Sequence, residues 1–60
     1  MELVEFKFND KVAYINPEEV LYLNPVDENN THIEMRYKCW IEVGEPIKEV
    51  ALKLTTTGKE

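Results

Sequence analysis

A chain of 60 residues makes one domain, with no room for a cofactor cleft between domains. At this size about 60% of the unfolded surface can be buried, near the lower limit for folding alone. Cys39 is the single cysteine and His32 the single histidine, which excludes an internal disulfide and any zinc site of two or more His/Cys pairs, so self-association is the supplement to expect.

Twelve acidic residues against seven basic ones give a net charge of −5, which repels a phosphate backbone and disfavours DNA or RNA as a partner. No apolar run approaches the ~18 residues of a membrane span. The start, Met1-Glu2-Leu3-Val4-Glu5, lacks the basic-then-apolar order of a signal peptide, and a free thiol suits a reducing compartment, so a cytoplasmic location is expected. The sequon Asn29-Asn30-Thr31 then carries no glycosylation meaning.

In chain order, Val4, Phe6 and Phe8 alternate with Glu5 and Lys7, the period of a half-buried strand. Asn9-Asp10 ends it in a tight turn, and Lys11 to Ile15 forms a second short strand. Asn16-Pro17-Glu18-Glu19 combines an Asn cap, a proline at the first helical position and a glutamate three residues after the cap, the pattern of a single helical turn. Val20-Leu21-Tyr22-Leu23 is an apolar run of strand length, which Asn24-Pro25 is expected to close because proline cannot donate into a ladder. The polar loop Asp27-Glu28-Asn29-Asn30 follows.

Thr31 to Val43 reads as a hairpin whose register is decided by polarity. A three-residue loop, Arg36-Tyr37-Lys38, pairs Met35 with Cys39, Ile33 with Ile41 and Thr31 with Val43 on one face, and Glu34 with Trp40 and His32 with Glu42 on the other. A two-residue loop would oppose Ile33 to Glu42 and Glu34 to Ile41, so the first register is expected. After Gly44, Pro46 stands at a first helical position, and Ile47, Val50, Ala51 and Leu54 recur at i, i+3, i+4 and i+7. About nine residues cannot stay helical alone in water, so this face must pack on the sheet. The expected fold class is α+β, a small twisted antiparallel sheet of about four to five strands with one short C-terminal helix packed on one face. Residues 1–54 make the domain and residues 55–60 a polar, flexible tail.

The chemistry available is narrow. No serine occurs, which removes Ser-His-Asp catalysis. A Cys-His dyad fails on register, which sends Cys39 to the apolar face as a small core residue and His32 to the polar face opposite Glu42. The carboxylate pairs Glu18-Glu19 and Asp27-Glu28 read as solvated turn charges, with a divalent ion at Asp27/Glu28 as the alternative. Gly44 and Gly58 are the only glycines and build no phosphate loop. The expectation is a protein that is not an enzyme and carries no cofactor or metal.

Arg36-Tyr37-Lys38-Cys39-Trp40 interleaves cations and aromatics, which suits a protein contact or stacking on a nucleotide and is equally an ordinary hairpin tip. Alternation places Trp40 on the face that the helix does not cover. Leu21 and Leu23 cannot share a face with Val20 and Tyr22, nor Ala13 and Ile15 with Val12 and Tyr14, so both sides of the sheet carry apolar residues. An uncovered apolar face marks an interface. A homo-oligomer joined through Leu21, Leu23 and Trp40 is expected, with a heterologous partner surface as the competitor.

The order of these features resembles the small FlbD/SwrD-type proteins and the short phage and prophage proteins that share their pattern. Tyr14-Ile15-Asn16-Pro17, Val20-Leu21, Thr31 and Ile33 after a polar loop, and Val43-Gly44-Glu45-Pro46-Ile47-Lys48-Glu49-Val50 carry the resemblance, which spans most of Phe6 to Leu54. Where that family has an Asn-Gly type turn in its last hairpin, this chain has Arg36-Tyr37-Lys38. The resemblance implies a non-catalytic accessory protein. For a phage-encoded member acting in the host cytoplasm, the expectation is an oligomeric binding module that occupies and inhibits a host protein of anti-phage defence. Trp40, Tyr37, Arg36, Lys38 and His32 are the candidate partner-binding residues. The alternatives are an oligomeric sponge for a small anionic nucleotide, lined by Arg36, Lys38 and Trp40, and a flagellar accessory protein.

Overall fold

The computed structural model describes residues 2–57, so the end of the expected tail, residues 58–60, lies outside the described residues. Val4–Phe8 (β1) and Lys11–Ile15 (β2) form an antiparallel hairpin across Asn9-Asp10. Val4 faces Ile15 and Phe6 faces Ala13, so one side of the hairpin turns inward while Glu5, Lys7, Val12 and Tyr14 stay exposed. Asn9 takes the left-handed conformation at φ 57°, which asparagine tolerates better than most residues. Pro17–Glu19 is a single 3₁₀ turn capped as expected, Asn16 Oδ1 accepting the Glu18 N–H at 3.0 Å.

Val20–Asp27 (β3), Asn30–Met35 (β4) and Cys39–Val43 (β5) form a second antiparallel sheet in the order β3-β4-β5. The β4–β5 register is the expected one, from Thr31 opposite Val43 to Met35 opposite Cys39. β3 departs from expectation in two places. It does not close at Asn24-Pro25 but runs to Asp27, which shortens the polar loop to Glu28-Asn29. Pro25 is tolerated because β3 is an edge strand and the ladder shifts register between Pro25 and Asp27. A second shift, between Val20 and Tyr22, leaves Leu21 as an extra residue. This bulge lets Val20 and Leu23 both pack on the core and leaves Leu21 exposed, so Leu21 and Leu23 do not share a face.

Ile47–Thr57 (α1) is 11 residues long and takes in Thr55, Thr56 and Thr57, which composition assigns to the tail. Pro46 sits just before it, its carbonyl accepting the N–H groups of Glu49 and Val50, each at 3.0 Å. The architecture is thus α+β, antiparallel throughout its strands, with one C-terminal helix. Its strands divide into two sheets rather than one. Phe6 and Ile15 from the first sheet, Ile33 and Val43 from the second and Val50 from α1 meet in a single core with Val4. Among the described residues no helix is long and apolar enough to cross a membrane.

The two sheets are joined at Lys7 and Glu45. The free edge of β1 exposes one backbone donor and one acceptor at Lys7, and both are satisfied without a neighbouring strand. Gly44 N–H donates to Lys7 O at 2.8 Å, and Lys7 N–H donates to Glu45 Oε2 at 3.0 Å. Lys53 Nζ reaches the same Oε2 at 2.9 Å and donates to Glu5 O at 3.1 Å, tying in α1. The buried Thr31 hydroxyl donates to Glu45 O at 2.7 Å. Glu45 is only 5% exposed. Burial pushes its carboxyl up, but hydrogen bonds from Lys53 and from Lys7 N–H, with the charges of both lysines, outweigh burial and hold it below the usual range.

Candidate functional site

The outer face of the three-stranded sheet follows from the two registers. Tyr22, Glu34 and Trp40 lie in one row across the strands, and Asn24, His32 and Glu42 in the next. Tyr22 belongs to this face only because of the bulge at Leu21. The rings stack along a diagonal: the Tyr22 and His32 centroids are 6.4 Å apart with planes 22° apart, and His32 and Trp40 are 5.1 Å apart at 20°. Such diagonal neighbours are within reach of aromatic side chains on a sheet. Trp40 is 61% exposed and Tyr22 51%, whereas His32 is half-buried between them.

His32 does not pair with Glu42 as the sequence suggested, although the two residues are opposite. Its Nε2 is 2.9 Å from Glu34 Oε1, and since a carboxylate only accepts, Nε2 carries the hydrogen. Glu34 lies two residues along the same strand and so on the same face, which lets one contact orient the imidazole against both flanking rings.

Tyr37 and Lys38 at the hairpin tip have φ of 65° and 60°, and Cys39 N–H closes the turn on Arg36 O at 3.4 Å. Left-handed backbone costs an L-residue about 1–2 kcal/mol, and here two non-glycine residues adopt it. Tyr37 is the most exposed large hydrophobic among the described residues, at 87%. The tip thus presents an exposed aromatic on backbone that neither Tyr37 nor Lys38 favours. The double variant Tyr37→Asn/Lys38→Gly is therefore expected to raise stability by about 1–2 kcal/mol, a Tm gain of about 5–15 °C by circular dichroism.

The remaining candidates are distributed differently. Arg36 turns to the 3₁₀ turn, its Nε 3.7 Å from Glu19 Oε1 and its N–H donating to Glu19 O at 3.0 Å. Both side chains are largely exposed, so this ion pair adds little stability. Cys39 is exposed, with its Sγ 3.7 Å from Tyr37 O, and is not the core residue expected. The core thins out toward the tip, where its register partner Met35 is only half-buried. Leu21 and Trp40 are exposed, but Leu23, the third expected interface residue, packs on the core.

Asp27 closes the turn between β3 and β4. Its carboxylate accepts Asn29 N–H at 2.8 Å and Asn30 Nδ2 at 2.9 and 3.1 Å, and these bonds, Asn29 first, hold its pKa below the ordinary value. No group of three or more His, Cys, Asp or Glu side chains converges among the described residues.

Beside Trp40 runs a groove of about 680 Å³ between β5 and the β1–β2 turn. Trp40, Ile41, Glu42 and Gly44 line it from one side, Lys7, Phe8 and Asn9 from the other, and Asn30 joins the lining. Sequence reasoning placed Glu34 on the face of Trp40 and His32 but missed its contact with His32, and it missed Tyr22 as a member of the ring face and Glu45 as the joint. Tyr22 would have followed from the register of β3, had the bulge been legible. The chain matches no protein-family model, no curated protein and no solved structure.

Proposed function

We propose that this protein is a non-catalytic binding module, a small phage-encoded accessory protein that acts as an oligomer and occupies and inhibits a bacterial host protein of anti-phage defence. The stacked and exposed Tyr22-His32-Trp40 face carries the reading. Rings held in place by neighbours lose little side-chain entropy on docking, and aromatic anchors dominate binding hot spots. Tyr37 extends the same hairpin into solvent, and the exposed Leu21 on the β3 bulge adds apolar area for self-association. The phage assignment rests on the FlbD/SwrD-like pattern of the sequence. Glu34 and Glu42 on the ring face, with Arg36 turned to Glu19, weigh against a sponge for an anionic nucleotide.

The test is plaque formation on bacteria that carry a panel of defence systems and express the protein. Wild type is expected to restore plaques against at least one system, and Trp40→Ala, folded by circular dichroism, to lose that effect through an affinity loss of about 30-fold or more. Failure of wild type against the whole panel, or full activity of Trp40→Ala, would contradict the proposal.

A further inference from the structure

The groove beside Trp40 has its own chemistry. His32 covers one side of the indole, and because β5 is the last strand of its sheet, the other side of Trp40 fronts the groove. Glu42 stands two residues along β5 on the same side of the groove and brings a carboxylate. Asn30 brings a carbonyl oxygen: its Nδ2 is committed to Asp27, so its Oδ1 lies on the opposite side, near Gly44. Phe8 adds a second ring from the β1–β2 side. The six outer-face positions carry two carboxylates and no lysine or arginine, and Lys7 is the only base among the described residues lining the groove. An open indole face next to acceptors is complementary to a planar cation that can stack and donate at once. Guanidinium does both, whereas ammonium is a compact, strongly hydrated point charge.

We propose that this groove is a receptor for an arginine side chain of a partner protein, stacked on Trp40 and donating to the Glu42 carboxylate and Asn30 Oδ1. The proposal rests on the binding-module reading and names the chemistry of the partner: a basic, arginine-bearing surface. The net charge of −5 steers such a surface toward the protein over longer range, and the groove selects among cations.

Trp40 is the only tryptophan, so its fluorescence reports directly on the site. Hexa-arginine amide and hexa-lysine amide are titrated at 0.15 M salt, where charges further than about 8 Å apart are screened. The expected result is a change in Trp40 emission with hexa-arginine and binding several-fold weaker for hexa-lysine. Glu42→Gln should weaken hexa-arginine about threefold or more. Glu18→Gln, which removes the same charge at the far end of the β1–β2 hairpin, should leave it unchanged. Equal affinity for the two peptides, equal losses in the two variants, or no emission change would overturn the proposal. A Trp40-dependent plaque effect without arginine selectivity would remove only this groove chemistry, whereas arginine selectivity without a plaque effect would remove the inhibitor reading.

Discussion

Glu45→Ala is expected to lower stability by about 2–4 kcal/mol, a Tm loss of about 10–25 °C, although the residue lies outside the aromatic face. The magnitude follows from what the carboxylate holds. It is the acceptor for Lys7 N–H at the free edge of β1, and losing it leaves a part-buried backbone donor unpaired at about 1–3 kcal/mol. It also holds Lys53 of α1, whose side chain is 42% exposed and so loses less. Glu45→Gln keeps an oxygen for Lys7 and should cost only about 1 kcal/mol. Because the folded-state pKa of Glu45 is depressed, its contribution is complete above the ordinary glutamate value of 4.5 and is lost as pH falls through the lower folded value. Thermal melts between pH 6 and pH 3 should therefore show wild type losing stability on the acid side, with a shallower loss in Glu45→Gln. A Glu45→Ala melt that matches wild type at pH 7 would remove Glu45 as the joint between the sheets.

Phe6→Ala is expected to cost about 3–5 kcal/mol, which cancels the total stability of a 60-residue chain at the lower end of the about 3–9 kcal/mol expected for its size. Phe6 is fully buried at the meeting point of both sheets and α1, and Lys53 Nζ lies 5.1 Å from its ring centroid. Neither the β1–β2 hairpin nor α1 is self-sufficient: a two-stranded hairpin is marginal in water, and a short helix needs a surface to lie on. Removing the shared ring therefore separates layers rather than opening a local cavity. Phe6→Leu keeps most of the volume and should stay folded with a loss of about 1–1.5 kcal/mol. Amide dispersion in a proton–nitrogen correlation spectrum distinguishes the outcomes: collapsed for Phe6→Ala, native-like for Phe6→Leu.

What the sequence made legible was local or periodic. Alternation in Val4-Glu5-Phe6-Lys7-Phe8 reports which side of β1 is buried, and the helical spacing of Ile47, Val50, Ala51 and Leu54 reports the packed side of α1. The β4–β5 register was readable because only one alignment keeps Ile33 and Ile41 together and away from Glu34 and Glu42. Irregular backbone was not readable. The bulge at Leu21 moves Tyr22 onto the ring face and Leu23 onto the core, and no period signals an extra residue. Pro25 reads as a strand stop in the sequence because its tolerance depends on β3 being an edge strand, a property of the assembled sheet. Glu45 looks like any acidic residue before a helix, since its partners Lys7 and Lys53 are distant in the chain. Trp40 and His32 were visible as site residues, but their mutual stacking, the Glu34 contact and the adjoining groove required the twist and spacing of the folded sheet.

We propose that the face made by β3, β4 and β5, with its hairpin tip, is where another protein docks. Site-specific photo-crosslinking in a bacterial host tests it most directly, with p-benzoylphenylalanine replacing Tyr22, Tyr37 or Tyr14 one at a time. All three tyrosines are more than half exposed, and Tyr14 lies on the outer side of the other sheet. A discrete adduct with a host protein is expected from positions 22 and 37 and none from position 14. Adducts from position 14 alone, or from none of the three, would contradict it.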